Sequence, residues 1–202
     1  MHKGRTEQPK RRAPGWGQAR IYTVGHSTRS AEELVGLLQA HGIQTLVDIR
    51  TVPRSRTHPQ FNRDTLPRTL AAADIRYVHL AALGGLRRAR ADSPNGAWRN
   101  ASFRGYADHM LTDAFAQGLE ELRALTPDGP LALMCAEAVR WRCHRSLVAD
   151  ALYARGVQVL HITRRTRAEP HTLTPFAQLQ GRQVLYPPQE AAPAEASALS
   201  PR

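Results

Sequence analysis

The sequence predicts an α/β fold: a single domain with a mainly parallel sheet of about five strands and helices on both faces. Short apolar runs alternate with segments in which apolar residues recur at helical spacing. This alternation is typical of parallel strands joined by helical connections. The chain has 202 residues, of which 42% are hydrophobic, and this is enough for one domain with a conventional core.

Five apolar runs are the strand candidates. Each is six residues long and lies between turn residues or helical patterns, as expected for a buried strand. In chain order they are RIYTVG, TLVDIR, IRYVHL, PLALMC and VQVLHI.

Four helices are predicted between these strands. The first begins at Ser30, where Glu33 completes a capping box, and it ends at Gly42. The other three are expected at residues 64–73, 106–125 and about 143–155. No Ser, Thr, Asn or Asp cap precedes the last helix. If it begins there, its first amides are free to bind an anion.

The segment 84–104 has no clear period and exceeds the usual length of a loop. It is therefore either a functional lid or a disordered insert. Its five arginines, together with Trp98 and Phe103, favour the lid.

The termini differ in composition from the chain between them. Residues 1–19 and 187–202 lack periodicity and are predicted to be flexible tails, the first of them basic, on either side of a domain at 20–186. Residues 1–20 contribute +5 to the formal net charge of +11. Residues 21–186 contain 21 arginines and no lysine, and arginine suits bidentate binding of phosphate or carboxylate.

No run approaches the roughly 18 apolar residues of a membrane span, and the N-terminus has no apolar signal region. We therefore expect a cytoplasmic protein without a membrane partner. Its two cysteines are too few for a disulfide framework, so they are expected to be free or functional, with a Cys135–Cys143 disulfide as the alternative.

Polar and reactive side chains lie at the ends of the predicted strands. Ligands of open parallel sheets bind beyond the carboxyl ends of the strands, so we expect these residues to converge in one site. They are His26 and Ser27 after the first strand, Asp48, Arg50, Arg54 and Arg56 at the second, His79 at the third, Cys135 and Glu137 at the fourth, and His161 at the fifth.

Each of these residues also has a structural interpretation. His26 and Ser27 suit the turn into the first helix. A buried Asp48 needs a partner, because burying a carboxylate alone is costly, and Arg50 could supply one without any catalytic role. The histidines of the third and fifth strands suit the core as well as a site.

The two cysteines differ in position. Cys135 ends a strand at the expected ligand edge, whereas Cys143 shares an inward helical stripe with Leu147 and Ala151. We therefore expect Cys135 to be the more exposed and reactive thiol and Cys143 to be packed. Arg145 and the helix dipole would lower the pKa of a nearby thiol.

Several segments together resemble the family called domain of unknown function 488 (DUF488). The resemblance implies an α/β domain and assigns no reaction. The segments are TVGHSTRSAEELVGLLQAHGIQTLVDIRTVPRSRTHPQFN, IRYVHLAALGG, WRNASFRGYADHM, CAEAVRWRCHRSLVADAL and GVQVLHI. Its motif positions include Gly25, His26, Ser27, Asp48, Arg50, Pro53, Arg54, Cys135, Glu137, Cys143, His144 and Arg145.

The segment after Cys135 also invites comparison with cysteine phosphatases and rhodanese-like enzymes. In those enzymes a cysteine at a strand end begins a loop that an arginine closes six positions later. Trp141 occupies that position here, between Arg140 and Arg142. The phosphatase mechanism therefore does not transfer directly.

Three functions are consistent with these residues. The first is an enzyme acting on a phosphorylated or other anionic substrate, with a nucleotide or a nucleic-acid end among the candidates. Its catalytic residues would be Cys135, Glu137, His26 and His144, and its substrate-binding residues Ser27, Asp48, Arg50, Arg54, Arg56, His79 and Arg145.

The second is a non-catalytic nucleic-acid-binding module that uses the basic N-terminal arm, Trp98 and Phe103. The third is a metal-binding protein with His, Cys and Glu ligands, although no tight ligand spacing is present. The sequence identifies no cofactor and no oligomeric state.

Overall fold

The computed structural model of the protein describes residues 16–188, and within them the predicted α/β fold is confirmed. A six-stranded sheet has the order β3-β2-β4-β1-β5-β6, in which the first five strands are parallel and β6 is antiparallel to β5. The strands are β1 Arg20–Gly25, β2 Thr45–Asp48, β3 Arg76–His79, β4 Leu131–Cys135, β5 Gln158–Arg164 and β6 Arg167–Pro170.

Helices cover both faces of this sheet. The helices are α1 Ala31–Ala40, α2 Leu66–Ala71, α3 Ala101–His109, α4 Asp113–Ala124 and α5 Arg145–Tyr153. Buried side chains of α1 and α2 pack with Met134 of β4 on one face. Those of α3, α4 and α5 pack with Leu133 and Cys135 on the other, because successive residues of a strand point to opposite faces. Cys135 therefore shares its face of the sheet with α5.

The helix boundaries match the sequence at some ends and differ at others. The capping box is confirmed: Glu33 N donates to Ser30 Oγ, and Ser30 N to the Glu33 carboxylate. The single helix expected at 106–125 is wrong, since Thr112 caps a new helix by accepting from Phe115 N. The last helix begins at Arg145 rather than at Cys143.

The sheet has one strand more than expected, and a separate hairpin pairs β7 Gln178–Gln180 with β8 Gln183–Leu185. These strands carry few buried side chains, and β6 is an edge strand that ends in Pro170. They lack the apolar runs that marked the other strands, because edge strands and exposed hairpins do not need them.

The segment expected to be either a lid or a disordered insert is an ordered loop that leads into α3. The carboxylate of Asp108, on α3, accepts hydrogen bonds from Arg90 N at 2.8 Å, Ser93 Oγ at 2.5 Å and Asn95 Nδ2 at 2.9 Å. The alternative of a disordered insert is therefore wrong.

Most of the expected tails, residues 1–15 and 189–202, lie outside the described residues. Trp16 is described and is buried in the core, so the packed structure begins earlier than the expected boundary at residue 20. None of the described helices has the length and apolar character needed to cross a membrane.

Candidate active site

A cavity of about 360 Å³ lies beyond the carboxyl ends of β1, β2 and β4. Of the residues singled out in the sequence, those that line it are His26, Arg50, Arg54, Cys135, Glu137 and His144, with Cys143 beside them. Ser27, Asp48, Arg56, His79 and Arg145 are not among its lining residues. The parallel sheet thus brings together residues from three strand ends and the start of α5.

The two cysteines are in direct contact. Cys135 Sγ and Cys143 Sγ lie 2.6 Å apart, and both thiols are free. Cys135 is 1% exposed and Cys143 5%, so the expectation that exposure favours Cys135 is wrong. The reason is that residues 136–138 fold back over the end of β4, where the Glu137 carbonyl packs against Gly25.

Electrostatics distinguish the two thiols where exposure does not. The hydrogen bond from Cys143, and the charge of Arg145 more weakly, lower the pKa of Cys135 despite its burial. The same hydrogen bond and burial raise the pKa of Cys143 well above its usual value. Proton loss from this pair therefore favours a thiolate at Cys135 that accepts from the Cys143 thiol.

Arg145 lies behind the loop that follows Cys135. It is 2% exposed, and its Nη2 donates to the carbonyl oxygens of Glu137 at 3.2 Å and Ala138 at 3.3 Å. Its Nε and Nη1 are buried without a hydrogen-bond partner among residues 16–188. A buried cation without an acidic partner favours negative charge nearby, which here includes the Cys135 thiolate.

Neither arginine that flanks Trp141 takes the place of Arg145. Arg140 forms an ion pair with Glu169 at 3.1 Å and lies over the Trp141 ring. Arg142 is exposed and lines a smaller adjoining cavity of about 170 Å³. The buried guanidinium behind Cys135 therefore comes from α5, ten positions along the chain.

Gly25 allows the loop to close over the end of the sheet. A Cβ at this position would lie 1.9 Å from the carbonyl oxygen of Glu137 and 3.0 Å from Cα of Ala138. Backbone amides of His26 and Ser27 extend the β1–β4 pairing to the carbonyls of Cys135 and Ala136. The loop is thus held by β1 on one side and by Arg145 on the other.

Asp48 and Arg50 form a buried pair, as the structural interpretation of Asp48 proposed. Arg50 Nε lies 2.9 Å from Asp48 Oδ1, and Arg50 Nη2 donates to the Asp48 carboxylate and to Phe61 O. Tyr77 donates to Asp48 Oδ2, and His79 Nε2 contacts the carbonyl of Arg50 at 2.8 Å. Arg50 Nη1 turns to the cavity side, 3.3 Å from Nε2 of His26.

Two histidines of the cavity wall are held by carbonyl groups. His26 Nδ1 lies 2.9 Å from Ser27 O, and His144 Nε2 lies 3.0 Å from Ile49 O. These nitrogens must carry the proton, so Nε2 of His26 and Nδ1 of His144 are acceptors. Burial lowers the pKa of each histidine to about 4, so both are neutral at pH 7.

Sequence reasoning missed several cavity residues, of which His58 and Leu86 are the most distinctive. The rings of His58 and His26 meet edge-on with centroids 6.3 Å apart, and Leu86 is 84% exposed with a positive φ of 54°. The arginines of the segment 50–56 marked the region of His58, but no pattern marked Leu86.

The family model described as Domain of unknown function DUF488 matches residues 30–152. The chain belongs to this family. The match includes Cys135, Cys143 and Arg145, whereas Gly25 and His26 precede it. No curated protein and no solved structure matches the chain significantly.

A second buried polar network of this DUF488 protein lies on the α5 side of the sheet. Thr23 Oγ1 contacts His161 Nδ1 at 2.7 Å, His161 Nε2 contacts His171 Nδ1 at 3.0 Å, and His171 Nε2 contacts Asp150 Oδ1 at 2.8 Å. Tyr186 also donates to Asp150. His161 is thus a satisfied buried histidine that does not line the cavity.

The alternative functions receive less support from the DUF488 fold. Trp98 and Phe103 stack on each other at 4.9 Å, and Trp98 also packs on Phe176 and Tyr186, so they are not free platforms for bases. The basic arm at 1–15 is outside the described residues. Within 16–188, no three His, Cys, Asp or Glu side chains are grouped to hold a metal ion.

Proposed function

We propose that the protein is an enzyme acting on a phosphorylated or other anionic substrate, with Cys135 as its nucleophile. The observation that carries the proposal is the position of Cys135: it lies in a cavity beyond the strand ends, and its pKa is lowered although the thiol is buried. Burial alone would raise a thiol pKa. Functional sites are where such opposed perturbations concentrate.

The proposed reaction begins with attack of the Cys135 thiolate on the electrophilic centre of the substrate, for example a phosphorus atom. The S–P bond forms as the bond from phosphorus to the leaving oxygen breaks, and that oxygen takes a proton. Water then attacks the thiophosphate, releases phosphate and restores the thiolate. Cys143, which donates to Cys135, stabilises the thiolate before attack and after release.

Cationic groups around the cavity support an anionic substrate. Arg54 is exposed at the cavity wall, and Arg50 presents Nη1 while its other nitrogens bind Asp48. The charge of Arg145 lies behind the loop and has no acidic partner among the described residues. Arginine groups of this kind hold phosphate through paired hydrogen bonds. The cavity volume, about 360 Å³, suits a small molecule or one end of a larger one.

Proton transfer is proposed for Glu137, His26 and His144. Glu137 is an exposed carboxyl group at the cavity wall, where it can exchange protons with the leaving group. The two histidines are neutral and each leaves one ring nitrogen as an acceptor, so either can take a proton from an attacking water.

A nucleic-acid end is the second candidate for the substrate, and one observation favours it. A groove of about 670 Å³, lined by Pro53, Arg54, Asn62, Arg63 and Asp64, shares Arg54 with the candidate active site. Phosphates beyond the reacting group could lie in this groove.

Alkylation by two reagents of opposite character tests the proposal. Iodoacetate is an anion and iodoacetamide is neutral. The rate of Cys135 labelling by iodoacetate, divided by the rate with iodoacetamide, therefore reports the local electrostatic potential. We expect this ratio to be about tenfold higher in the native protein than in the same protein in urea, corresponding to about 1.4 kcal/mol. Inorganic phosphate should slow iodoacetate in the native protein.

Arg54→Ala and Arg56→Ala form a matched pair of variants. Both arginines are exposed and lie two positions apart, but only Arg54 lines the cavity. Arg54→Ala should lower the rate ratio at Cys135 and weaken protection by phosphate, whereas Arg56→Ala should leave both unchanged. Equal ratios in native and unfolded protein, or faster labelling of Cys143 than of Cys135, would overturn the proposal.

Turnover is measured with a panel of aryl phosphates, nucleotides and short oligonucleotides with terminal phosphates. Cys135→Ser should abolish hydrolysis of any substrate found. Oligonucleotide turnover that requires Arg63 as well as Arg54 would identify the groove as part of the substrate site.

A further inference from the structure

Cys135 and Cys143 are the only cysteines of the chain, and they meet within one cavity. Their sulfur atoms are in contact at 2.6 Å, although one residue ends β4 and the other precedes α5. The two sulfur atoms lie only about 0.6 Å farther apart than in a disulfide bond, so a small movement would join them. Each sulfur is therefore the nearest reaction partner of the other.

The surroundings of the pair give the two sulfurs different roles. Cys135 receives hydrogen-bond donation from Cys143 and lies in the field of Arg145, which favours its thiolate. Cys143 keeps its proton, and its Sγ lies 3.7 Å from Nδ1 of His144. That nitrogen is an acceptor because Nε2 of the same ring donates to Ile49 O. This ring nitrogen thus faces the protonated thiol as a hydrogen-bond acceptor.

We propose that Cys135 and Cys143 form a reversible redox pair in which a hydroperoxide oxidises Cys135 and Cys143 then closes a disulfide. The part of this inference that concerns regulation rests on the proposed function, because the disulfide removes the thiolate that attacks the substrate. The oxidant is any small hydroperoxide that enters the cavity. A cellular dithiol reductant reverses the change.

The steps balance in atoms and electrons. The Cys135 thiolate attacks the terminal oxygen of the hydroperoxide: an S–O bond forms, the O–O bond breaks, and the leaving oxygen takes a proton to become water or an alcohol. Cys143 then attacks the sulfur of the Cys135 sulfenic acid. The S–S bond forms as the S–O bond breaks, and the departing hydroxide takes the proton of the Cys143 thiol and leaves as water. Two thiols are oxidised by two electrons, and the peroxide is reduced.

Closure of the disulfide would protect the active site. A sulfenic acid without a neighbouring thiol is oxidised further to a sulfinic acid, which ordinary thiols do not reduce. With Cys143 in contact, the first oxidation product is intercepted before a second peroxide arrives. The enzyme would therefore be switched off by peroxide and recovered by reductant.

Peptide mass spectrometry tests the pair without any assay of activity. Cleavage after Arg140 and Arg142 separates the two cysteines, so a disulfide appears as a cross-link between the peptide that contains Cys135 and the short peptide Cys143–Arg145. After treatment with one equivalent of hydrogen peroxide, the native protein should lose two hydrogen atoms in mass and show this cross-link. Dithiothreitol should restore the reduced mass.

Cys143→Ser is the informative variant. Its Cys135 should gain one oxygen atom under the same treatment and a second with excess hydrogen peroxide, and the second addition should resist dithiothreitol. Native protein in which peroxide adds oxygen to Cys135 without a cross-link would overturn the inference. So would a cross-link that forms only after the protein is unfolded.

These outcomes are independent of the proposed function. A cross-link in a protein whose alkylation rates show no preference for iodoacetate would leave the redox pair in place and remove the anionic substrate. Selective reaction with iodoacetate in a protein that forms no cross-link would support the anionic substrate and overturn the redox pair.

Discussion

Gly25→Ala should disrupt the candidate active site through a single methyl group. The added Cβ would lie 1.9 Å from Glu137 O and 2.7 Å from the carbonyl carbon of the same residue, both backbone atoms. Ordinary carbon–oxygen contacts are about 3.2 Å or longer, so the loop after Cys135 must move by about 1 Å. That movement would lengthen the hydrogen bonds from Arg145 Nη2 to the carbonyl oxygens of Glu137 and Ala138, which are 3.2 and 3.3 Å long in the native structure.

Overpacking of this kind costs about 1 to 3 kcal/mol, and the upper end applies because the neighbouring atoms belong to the backbone. Urea denaturation measures this loss, and iodoacetamide labelling of Cys135 measures the change at the site. Gly36→Ala is the matched control: its Cβ would meet only the flexible end of Arg165 at 3.4 Å, and alanine favours its helix by up to about 1 kcal/mol. A Gly25→Ala protein with native stability and native labelling would refute the steric argument.

Two further predictions concern buried charge. Asp48→Asn leaves the guanidinium of Arg50 buried without a counter-charge. The free energy of unfolding, measured by urea denaturation, should therefore fall by about 3 kcal/mol. A loss below about 1 kcal/mol would show that Arg50 has another partner. Burial lowers the pKa of His26 and His144 to about 4 and of His161 to about 3, so between these values and about 6.5 the unfolded chain binds more protons than the folded protein. The contribution of these histidines to the free energy of unfolding should therefore be fully present above pH 7. It should fall as pH drops toward 4, by up to about 1.4 kcal/mol per histidine per pH unit. Equal urea midpoints at pH 7 and pH 5 would contradict this.

The sequence predicted the central strands β2 and β4 well because all their residues are buried and most are therefore apolar. β4 is the clearest case: all five of its residues are buried. The edge strand β6 and the hairpin of β7 and β8 escaped prediction, since an exposed strand can be polar at most positions. The break between α3 and α4 was missed because Thr112 and Asp113 form a cap inside a continuous apolar pattern.

The cavity residues were predictable to the extent that they follow strands. Position relative to the strand ends selected His26, Arg50, Cys135 and Glu137, and all four line the cavity. The same rule could not separate Arg54 from Arg56, since which side chain turns inward depends on the path of an irregular loop.

Contact between the two sulfurs entered the sequence analysis only through the alternative of a Cys135–Cys143 disulfide, which the expected positions of the two residues did not favour. The helical stripe that includes Leu147 correctly indicated that Cys143 is buried, but the helix begins two residues later, at Arg145. Cys143 therefore precedes the helix, and its own backbone path carries the thiol to Cys135. A boundary error of two residues was enough to hide the pair, and helix ends are where sequence patterns say least.

The two buried arginines at this edge of the sheet differ in one respect that bears on function. Arg50 is neutralised by Asp48, so its burial is explained by the fold alone. Arg145 is also buried, yet within 16–188 its guanidinium binds only two carbonyl oxygens and leaves two nitrogens without partners. An uncompensated buried cation lowers stability, and a negative charge that forms beside it reduces this cost. Under the proposed function the Cys135 thiolate is such a charge, because Arg145 lowers the pKa of this thiol.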